Sequence, residues 1–485
     1  MKKLIISIFT ICSLFTSVAC SDWLTVYPKT ETPVEQLLSD EQGYEDALAG
    51  VYILMKNSSL YGGGLSFSYI ENLANLWDVT NQSVAQSLSL HRYTDAGASS
   101  VIDNIYGKLY NAIANLNAIL IHIDESKEVL VTQDMYEIIK GEALALRAFL
   151  HFDILRLFGP LPESAQGSDI RLSYITTLSK DVNTPISFEQ YKTCIWADLE
   201  EAQKLLKEVD PILHYAIDDL KYVNAFNDFS PKSEFFLHRV IRMNYYATKA
   251  LEARCALWFQ ETERACNAAL EVINASYDGG QNLSFRLGTS GDFGNGNYVL
   301  PCEHIFAIHD YSLYSKYTAN FSSGNLKKGE NESIIKSKLF SSTGTDIREL
   351  SLWEQIALEN HSNIYTIKKY SVPEKISNIY YDYRQIPLIR LSEMYLIATE
   401  TAPLSDAQTL WETYCASRGI VAQSLPANLV DRRPIVLNEF RKEFYAEGQL
   451  FYLYKRYNSP KEDILFSTSD LSVNYVLPLP VTEIK

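Results

Sequence analysis

One segment of this 485-residue chain is apolar around most of its circumference. Residues Met135 to Phe158 follow a helical pattern, and Gly159-Pro160 ends it sharply. Because a helix that is apolar on most sides cannot face water, both of its sides must pack against other elements. Other helical patterns flank it, from Asp103 to Ile123 and from Ser187 to about Lys207. The sequence therefore predicts a mainly α protein with little β structure.

Further helical patterns follow in the second half of the chain. They run from Ser230 to Gln260, from Thr262 to Asn274, from Pro387 to Thr401 and from Pro434 to Tyr457. Small residues such as Ala253 and Ala265 lie on either side of the break at Glu261-Thr262 and permit two antiparallel helices to approach closely. Capping boxes at Ser187–Gln190 and Ser405–Gln408 predict two helix starts. These features are typical of tetratricopeptide-type helical hairpins.

Two long segments interrupt the helical patterns. Residues from about 60 to 100 contain a run of three glycines and many Ser, Asn and Gln residues, and residues from about 278 to 374 are rich in Gly, Asn, Ser and Tyr. Loops of this length in a compact protein tend to be functional. We therefore predict one domain from residue 34 to residue 485, with two irregular insertions that fold onto a helical scaffold.

The charge of the chain excludes one class of partner. Its 43 basic and 59 acidic side chains give a formal net charge of −16. Such a surface repels phosphate backbones, so no nucleic-acid partner is predicted. The 32 tyrosines are a more informative feature, because a tyrosine ring combines a rigid apolar face with a polar tip. That combination suits wet binding surfaces, although most of these rings are expected to fill helix interfaces.

The first twenty residues resemble a bacterial lipoprotein signal. Lys2 and Lys3 precede an apolar stretch that is shorter than the roughly 20 residues needed to span a membrane. The sequence Ser17-Val18-Ala19-Cys20 resembles a lipobox. We predict a signal peptide at residues 1–19, lipidation of Cys20 and a lipidated tether at residues 20–33. The alternative is an ordinary signal with an incidental cysteine.

The sequence predicts no catalytic residue, no cofactor and no metal site. The remaining cysteines are scattered, without any CxxC spacing, at Cys194, Cys255, Cys266, Cys302 and Cys415. Cys255 and Cys266 could meet on adjacent helices, but we expect buried free thiols for both. His304 and His309 would face opposite sides of a strand, which disfavours a shared metal. His151, on the apolar helix, is expected in the core.

Three carboxylates recur every four residues near the C-terminus, at Glu439, Glu443 and Glu447. On one helix they would share a face. Carboxylates in this arrangement more often pair with nearby basic side chains or neighbouring helices than catalyse hydrolysis. A surface hydrolase is therefore a minor alternative.

Several motifs in sequence order resemble those of the SusD/RagB family. The segment Lys140 to Pro160 resembles the pattern GEAxxLRAxxxFxLxxxFG, and Ile389 to Ala398 resembles a later repeat helix of that family. Glu439 to Gly448 resembles ERRxEFxxEG, and Val476 to Ile484 resembles the closing PIPxxEI. The resemblance spans residues 20 to 484.

This resemblance implies a fold and a role. The fold would be a tetratricopeptide-like helical scaffold with an irregular ligand-facing region. The role would be that of an outer-membrane lipoprotein, facing outward, that captures oligosaccharide and passes it to a SusC-like TonB-dependent transporter. A RagB-like peptide-binding subunit and a helical scaffold that binds only proteins remain the alternatives.

The chain departs from the family pattern after Gly448. Where the family reads QRFYDLKRW, residues Gln449 to Tyr457 place Leu450 at the arginine and Leu453 at the aspartate. The two positions are neighbours on one helical face. Losing both charges together can leave the stability of the protein nearly unchanged, whereas losing one would leave a buried charge without its partner. We interpret the exchange as compensated and structural.

Ligand-binding residues are predicted where aromatic rings alternate with planar polar groups. Rings stack on the flat C–H faces of sugars, while amides, carboxylates and guanidinium groups bond to hydroxyls. The candidates are Trp77, Asp78, Asn81, Gln82, Arg92, Tyr93, Tyr311, Tyr314 and Tyr317. On a helical turn the last three would share one face.

Overall fold

Helices dominate the fold, with about 52% of residues helical and 7% in strands. A computed structural model describes residues 33–165, 169–179, 182–221, 228–359, 361–371 and 381–483. The predicted signal peptide, Cys20 and the tether up to residue 32 lie outside the described residues. The predicted mainly α fold is confirmed.

The α-helices follow one another along the chain with short strands between some of them. The helices are α1 (Val34–Leu37), α2 (Glu41–Met55), α3 (Tyr69–Leu73), α4 (Val84–Ser89), α5 (Ala96–His122), α6 (Met135–Phe158), α7 (Phe188–Leu206), α8 (Tyr245–Trp258), α9 (Thr262–Ile273), α10 (Ser290–Gly294), α11 (Leu313–Tyr317), α12 (Ile347–Ser351), α13 (Leu391–Thr401), α14 (Leu404–Ser417), α15 (Leu429–Glu443) and α16 (Leu450–Arg456). The strands are β1 (Asp169–Leu172), β2 (Ile186–Ser187), β3 (His304–His309), β4 (Trp353–Ala357), β5 (Asn363–Ile367) and β6 (Gln385–Arg390). They pair antiparallel as β1–β2, β3–β6 and β4–β5.

Helix α6 lies at the centre of the helical scaffold. Every residue from Gly141 to Phe158 is buried, because α5 and α7 pack along it and α2 and α8 also touch it. The helix ends at Gly159, as predicted. A single cluster of buried apolar side chains runs from Leu38 to Leu477, so the described helices share one core.

Helical hairpins extend this scaffold towards the C-terminus. Helices α8 and α9 pack against each other across a short turn, and α13 packs on α9, α14 and α15. Ala253, Ala256 and Ala265 are buried, as expected of helices in close contact.

One predicted capping box is confirmed, and two other predicted helix starts are wrong. Ser187 forms the predicted capping box with Gln190. The helix predicted from Ser230 begins only at Tyr245, where Asn244 accepts the N–H of Ala247 at 2.8 Å. The box predicted at Ser405 does not form, because α14 already starts at Leu404.

The helix predicted from Pro387 to Thr401 is also partly wrong. Residues 385–390 form β6, which pairs with β3 in a register that joins His304 to Arg390 and His309 to Gln385. All six residues of β6 are buried. A strand buried on both faces has no polar alternation, so its pattern resembles that of a buried helix.

The helix predicted from Pro434 to Tyr457 is broken into α15 and α16. Ala446 and Gly448 have φ values of +64° and +74°. A Cβ on Gly448 would lie 2.2 Å from the carbonyl oxygen of Leu65, so only glycine fits there. Buried Glu71 holds the break by accepting the N–H of Gly448 at 2.6 Å and that of Ala446 at 3.2 Å. Burial raises the pKa of Glu71 to about 8, against the lowering effect of these two donors.

The cysteines and histidines occupy structural positions. Cys255 and Cys266 are buried free thiols, as expected, and the other three described cysteines are also free thiols. His151 is buried and contacts Tyr191 and Ile175, which confirms its place in the core. His304 is buried between Gln385 and Val299, while His309 is half-buried.

The described residues contain neither a cluster suited to a metal ion nor a helix that could span a membrane. Within them, no group of three or more His, Cys, Asp or Glu side chains is arranged to hold a metal ion. None of the helices placed there is both long and apolar enough to cross a bilayer.

Candidate functional site

A buried ion network supports the irregular half of the chain. Glu443, at the end of α15, accepts hydrogen bonds from three arginines that come from three separate segments. Arg348 and Arg390 donate to it at 3.0 and 2.8 Å, and Arg418 donates to both of its oxygens at 2.9 Å. All four side chains are buried. Burial raises the pKa of Glu443. The guanidinium groups of Arg418, Arg390 and Arg348 outweigh this effect and hold that pKa well below its usual value.

The network extends to other acids and ties distant segments together. Glu303 bridges Arg390 and Arg418 at 2.8 and 2.6 Å, and Glu447 pairs with Arg390 and with buried Lys369. Glu303 precedes β3, Arg390 ends β6 and Glu447 lies in the break between α15 and α16. The network therefore fixes the strand pair β3–β6 against the C-terminal helices.

The three carboxylates singled out in the sequence thus have structural partners. Glu439 pairs with Arg348 at 2.8 Å and with Lys442 at 2.6 Å. Glu447 does not continue the helical face, because α15 ends at Glu443. Carboxylates that are buried and bonded to guanidinium groups are not free to transfer protons.

Two exposed tyrosines stand at one edge of this supported region. Tyr311 is 64% exposed and Tyr314 is 50% exposed. Both follow β3, and Tyr314 lies in the short helix α11. The guanidinium of Arg384, just before β6, stacks 4.0 Å from the ring centroid of Tyr311. An aromatic ring held from one side by a cation presents its other face to a ligand.

A cross-chain contact holds these tyrosines in place. Lys316, in α11, donates to the carbonyl of Gly62 at 2.7 Å and pairs with Asp310 at 2.6 Å. The N–H of Asp310 donates to the carbonyl of Arg384 at 2.7 Å. A Cβ on Gly62 would lie 1.9 Å from the carbonyl oxygen of Lys56, so glycine is required at this approach. The two irregular segments predicted from the sequence therefore meet here. We call Tyr311, Tyr314, Arg384, Lys316 and Gly62 the Tyr311 surface.

A half-buried histidine completes the surroundings of the Tyr311 surface. Burial, reinforced by His238 and Arg384, lowers the pKa of His309 to about 4. His309 is therefore neutral at pH 7. The fixed charges of the surface are those of Arg384 and the Lys316–Asp310 pair.

The third predicted tyrosine is not part of this surface. Tyr317 is 6% exposed, its ring stacks on Phe321 with centroids 5.4 Å apart, and its hydroxyl donates to Glu354. Two of the three tyrosines thus reach solvent and the third anchors the helical turn to the core. Arg384 and Lys316 had no signal in the sequence, since neither belongs to a recurring pattern.

The candidates between Trp77 and Gln82 have divided roles. Trp77 is buried, and its indole N–H donates to the carbonyl of Phe67 at 2.9 Å. Asp78 pairs with Lys328 at 3.1 Å and so joins the first irregular segment to the second. Asn81 and Gln82 are exposed. Within the described residues, their side chains and backbone form hydrogen bonds only with Gln86.

Arg92 and Tyr93 border a different cleft. It has a volume of about 510 Å³ and is closed on one side by Asn474 and residues 476–478. Tyr93 is buried and donates its hydroxyl to the carbonyl of Asn474 at 2.5 Å. Arg92 is exposed and pairs with Asp95 at 3.3 Å. The predicted residues therefore do not converge on one site.

Comparison with known proteins agrees with this architecture. Residues 22–212 match the SusD-like family model described as starch-binding and associating with the outer membrane. A curated SusD-like protein from Formosa agariphila is 24% identical over 314 residues, which cover 63% of this chain. These matches support a SusD-like family relationship for the chain. The match spans about half of that relative, 51% of its length.

Solved structures share the fold of this chain. A SusD homologue from Bacteroides thetaiotaomicron superimposes with a TM-score of 0.68 at 16% identity, covering 94% of this chain and 97% of the other. A SusD superfamily protein from Bacteroides vulgatus gives 0.66 at 20% identity, with coverages of 92% and 97%. A SusD-like carbohydrate binding protein from the same species gives 0.63 at 17% identity, with coverages of 86% and 84%. At these identities the likeness establishes the fold.

Proposed function

We propose that this SusD-like chain is a cell-surface glycan-binding lipoprotein. It captures oligosaccharides and delivers them to a SusC-like TonB-dependent transporter in the outer membrane. We further propose that residues 34–485 act as one domain behind a signal peptide at 1–19 and a lipidated tether at 20–33. The family model and the names of the relatives favour a carbohydrate ligand over a peptide.

The Tyr311 surface carries this proposal. Exposed apolar patches mark binding sites, and two exposed aromatic rings lie three residues apart here on a segment fixed by one ion pair and a glycine contact. Tyrosine rings offer apolar faces for the C–H surface of a sugar, and Arg384 supplies donors for hydroxyl groups. Handover to the transporter needs no chemical step, so we propose binding without catalysis.

Replacement of both exposed tyrosines by alanine is expected to remove most of the glycan affinity. With Tyr311→Ala and Tyr314→Ala together, we expect at least a tenfold rise in Kd, equivalent to about 1.4 kcal/mol. The melting temperature should stay within about 1 °C, because neither ring is part of the core. The ligand is the oligosaccharide selected on a glycan array, and affinity is measured by calorimetry.

Two controls sharpen this test. Leu350→Ala removes an exposed apolar side chain of α12, 62% exposed, and should leave binding unchanged. Tyr317→Ala should lower the melting temperature because that ring is buried. Unchanged glycan affinity in the double variant would reject the Tyr311 surface. Binding of peptides but no glycan would favour the RagB-like alternative, and binding of neither would favour a protein scaffold.

Membrane attachment is tested at the predicted lipidation site. Cys20→Ser is expected to abolish incorporation of labelled palmitate and to release the protein from the outer-membrane fraction. A single acyl chain binds membranes weakly whereas several anchor a protein firmly, so the change in fractionation should be nearly complete. Cys194→Ser, at a half-buried thiol, is the matched control and should retain the label. A Cys20→Ser protein that stays in the membrane would contradict the lipoprotein proposal.

A further inference from the structure

A cleft of about 580 Å³ opens on the helical scaffold where α7, α8 and α9 meet. Its walls are formed by Lys207 just after α7, by Tyr245 and Tyr246 at the start of α8, by α9 and by the residues that follow α9 as far as Gly280. Among the described residues that line it, none belongs to the Tyr311 surface. Its volume lies within the range of about 300–1,000 Å³ that is typical of small-molecule sites. We call it the α9 cleft.

The polar side of the α9 cleft comes from one face of α9. Asn267, Glu271 and Asn274 follow one another at spacings of four and three residues, so they share a helical face. All three line the cleft and are exposed. Asn274 donates one N–H to the carbonyl of Leu270 at 2.9 Å. A side-chain amide both donates and accepts hydrogen bonds, as a hydroxyl group does. This face is therefore suited to a ligand that carries several hydroxyl groups.

The apolar side of the α9 cleft contains two tyrosine rings. Tyr245 donates its hydroxyl to Glu271 at 2.7 Å, and Tyr246 donates its hydroxyl to the carbonyl of Ser276 at 3.3 Å. The two rings meet nearly edge to face, with centroids 5.6 Å apart. Because both hydroxyls already have partners in the protein, the rings contribute mainly carbon surface, together with Leu213 and Leu270. Aromatic carbon surface beside planar polar groups is the combination that sugar recognition requires.

The charges that line the α9 cleft cancel. Lys207 and Glu271 are the charged side chains among its described lining residues. Glu271 also pairs with Lys249, outside the lining, at 3.1 Å. An anionic ligand would be opposed by Glu271 and a cationic ligand by Lys207, whereas a neutral ligand is opposed by neither.

The rim of the α9 cleft is open and ordered before a ligand arrives. Gly279 and Gly280 have φ values of +75° and +99°, and no atom lies within 4 Å of the position that a Cβ would take on either residue. Asp278 holds this turn by accepting the N–H groups of Gln281 at 3.0 Å and of Asn282 at 2.8 Å. A rim that is fixed in advance lowers the entropic cost of binding.

We propose that the α9 cleft is a second binding site, specific for neutral oligosaccharides. The amides of Asn267 and Asn274 bond to sugar hydroxyls, and the rings of Tyr245 and Tyr246 contact the C–H surface. The ligand class rests on the proposed glycan function, but the site is separate from the Tyr311 surface. A glycan long enough to reach both sites binds more tightly than either site alone, because its second binding event is intramolecular.

An array of neutral and uronic-acid-containing oligosaccharides, followed by calorimetry with the neutral oligosaccharide that binds most strongly, tests the proposal. The starting protein is the full-length Tyr311→Ala, Tyr314→Ala variant, which should retain weaker binding to neutral oligosaccharides. Adding Asn267→Ala and Asn274→Ala should weaken this remaining binding about fivefold or more, because two hydrogen-bonding side chains are lost. The matched control adds Asn111→Ala and Asn115→Ala instead, at two exposed asparagines of α5 outside the cleft, and should leave the remaining binding unchanged.

The outcomes separate the two sites. Loss of all array binding in the Tyr311→Ala, Tyr314→Ala variant would reject the α9 cleft and leave the proposed function intact. Full binding in that variant, lost when Asn267→Ala and Asn274→Ala are added, would support the α9 cleft and reject the Tyr311 surface. Equal remaining affinity with the two asparagine pairs would overturn the proposal, and so would remaining binding that prefers acidic oligosaccharides. Absence of any glycan binding by the unsubstituted protein would overturn both proposals.

Discussion

Glu443→Gln is expected to lower the free energy of unfolding by about 3–5 kcal/mol. The substitution keeps the shape of the side chain but removes the one negative charge that Arg348, Arg390 and Arg418 share. Breaking a buried ion network from one side leaves charges without compensation, and the cost exceeds what the intact network contributes. Urea unfolding followed by circular dichroism measures the difference.

The control and the pH dependence make this prediction specific. Glu412→Gln changes an exposed acid of α14 and should shift stability by less than about 0.5 kcal/mol. Because the folded-state pKa of Glu443 is depressed, its contribution is present above the unfolded pKa of about 4.3 and is lost as the pH falls through the folded value. The difference in unfolding free energy between the unsubstituted protein and Glu443→Gln should therefore narrow only in strong acid. Equal urea midpoints for Glu443→Gln and Glu412→Gln at pH 7 would contradict the structural role of the network.

Leu450→Arg is expected to destabilise the protein by a similar amount, about 3–5 kcal/mol, because it buries a charge without a partner. Leu450 is fully buried at the start of α16. Adding Leu453→Asp, one helical turn further on, should restore much of the loss. The double variant reinstates the charge pair of the family pattern.

A double-mutant cycle measures whether the two positions are coupled. We expect the double variant to melt at a higher temperature than Leu450→Arg alone, with a coupling of about 1–3 kcal/mol. Leu450→Met, which keeps the position apolar, should change little. Purely additive shifts would show that Leu450 and Leu453 are independent packing residues and that the exchange was not compensated.

Local signals of the sequence were sufficient for the central scaffold. Helix α6 is apolar on most sides and ends at Gly159-Pro160, so its bounds and burial follow from its own residues. The capping box at Ser187 needs only residues within one turn. Such features are predictable because the interactions that decide them are local in the chain.

Features that depend on distant partners were not predictable. The segment 385–390 is a strand because β3 pairs with it, and its uninterrupted apolar pattern does not distinguish strand from helix. The break between α15 and α16 depends on Glu71, far away in the chain, which accepts the N–H groups of Ala446 and Gly448. The arginines of the ion network occur singly in the sequence, so their spacing did not indicate that they meet in the folded protein.

The candidate site shows the same division. The mixture of aromatic and polar residues was the basis for the candidate ligand-binding residues, but composition does not distinguish an exposed ring from a buried one. Trp77 and Tyr317 are buried because backbone and carboxylate acceptors inside the protein take their donors. Tyr311 and Tyr314 remain exposed. Only the three-dimensional arrangement separates these cases.

The ion network also determines when the second half of the protein can fold during translation. The ribosome adds Arg348, Arg390 and Arg418 to the chain before it reaches the codons for Glu439, Glu443 and Glu447. Until those last acids emerge, the three guanidinium groups lack most of the counter-ions that allow them to leave water. The second half of the molecule therefore completes its folding only after nearly all of it has been translated, and a nascent chain stalled before position 443 should remain open to proteases there.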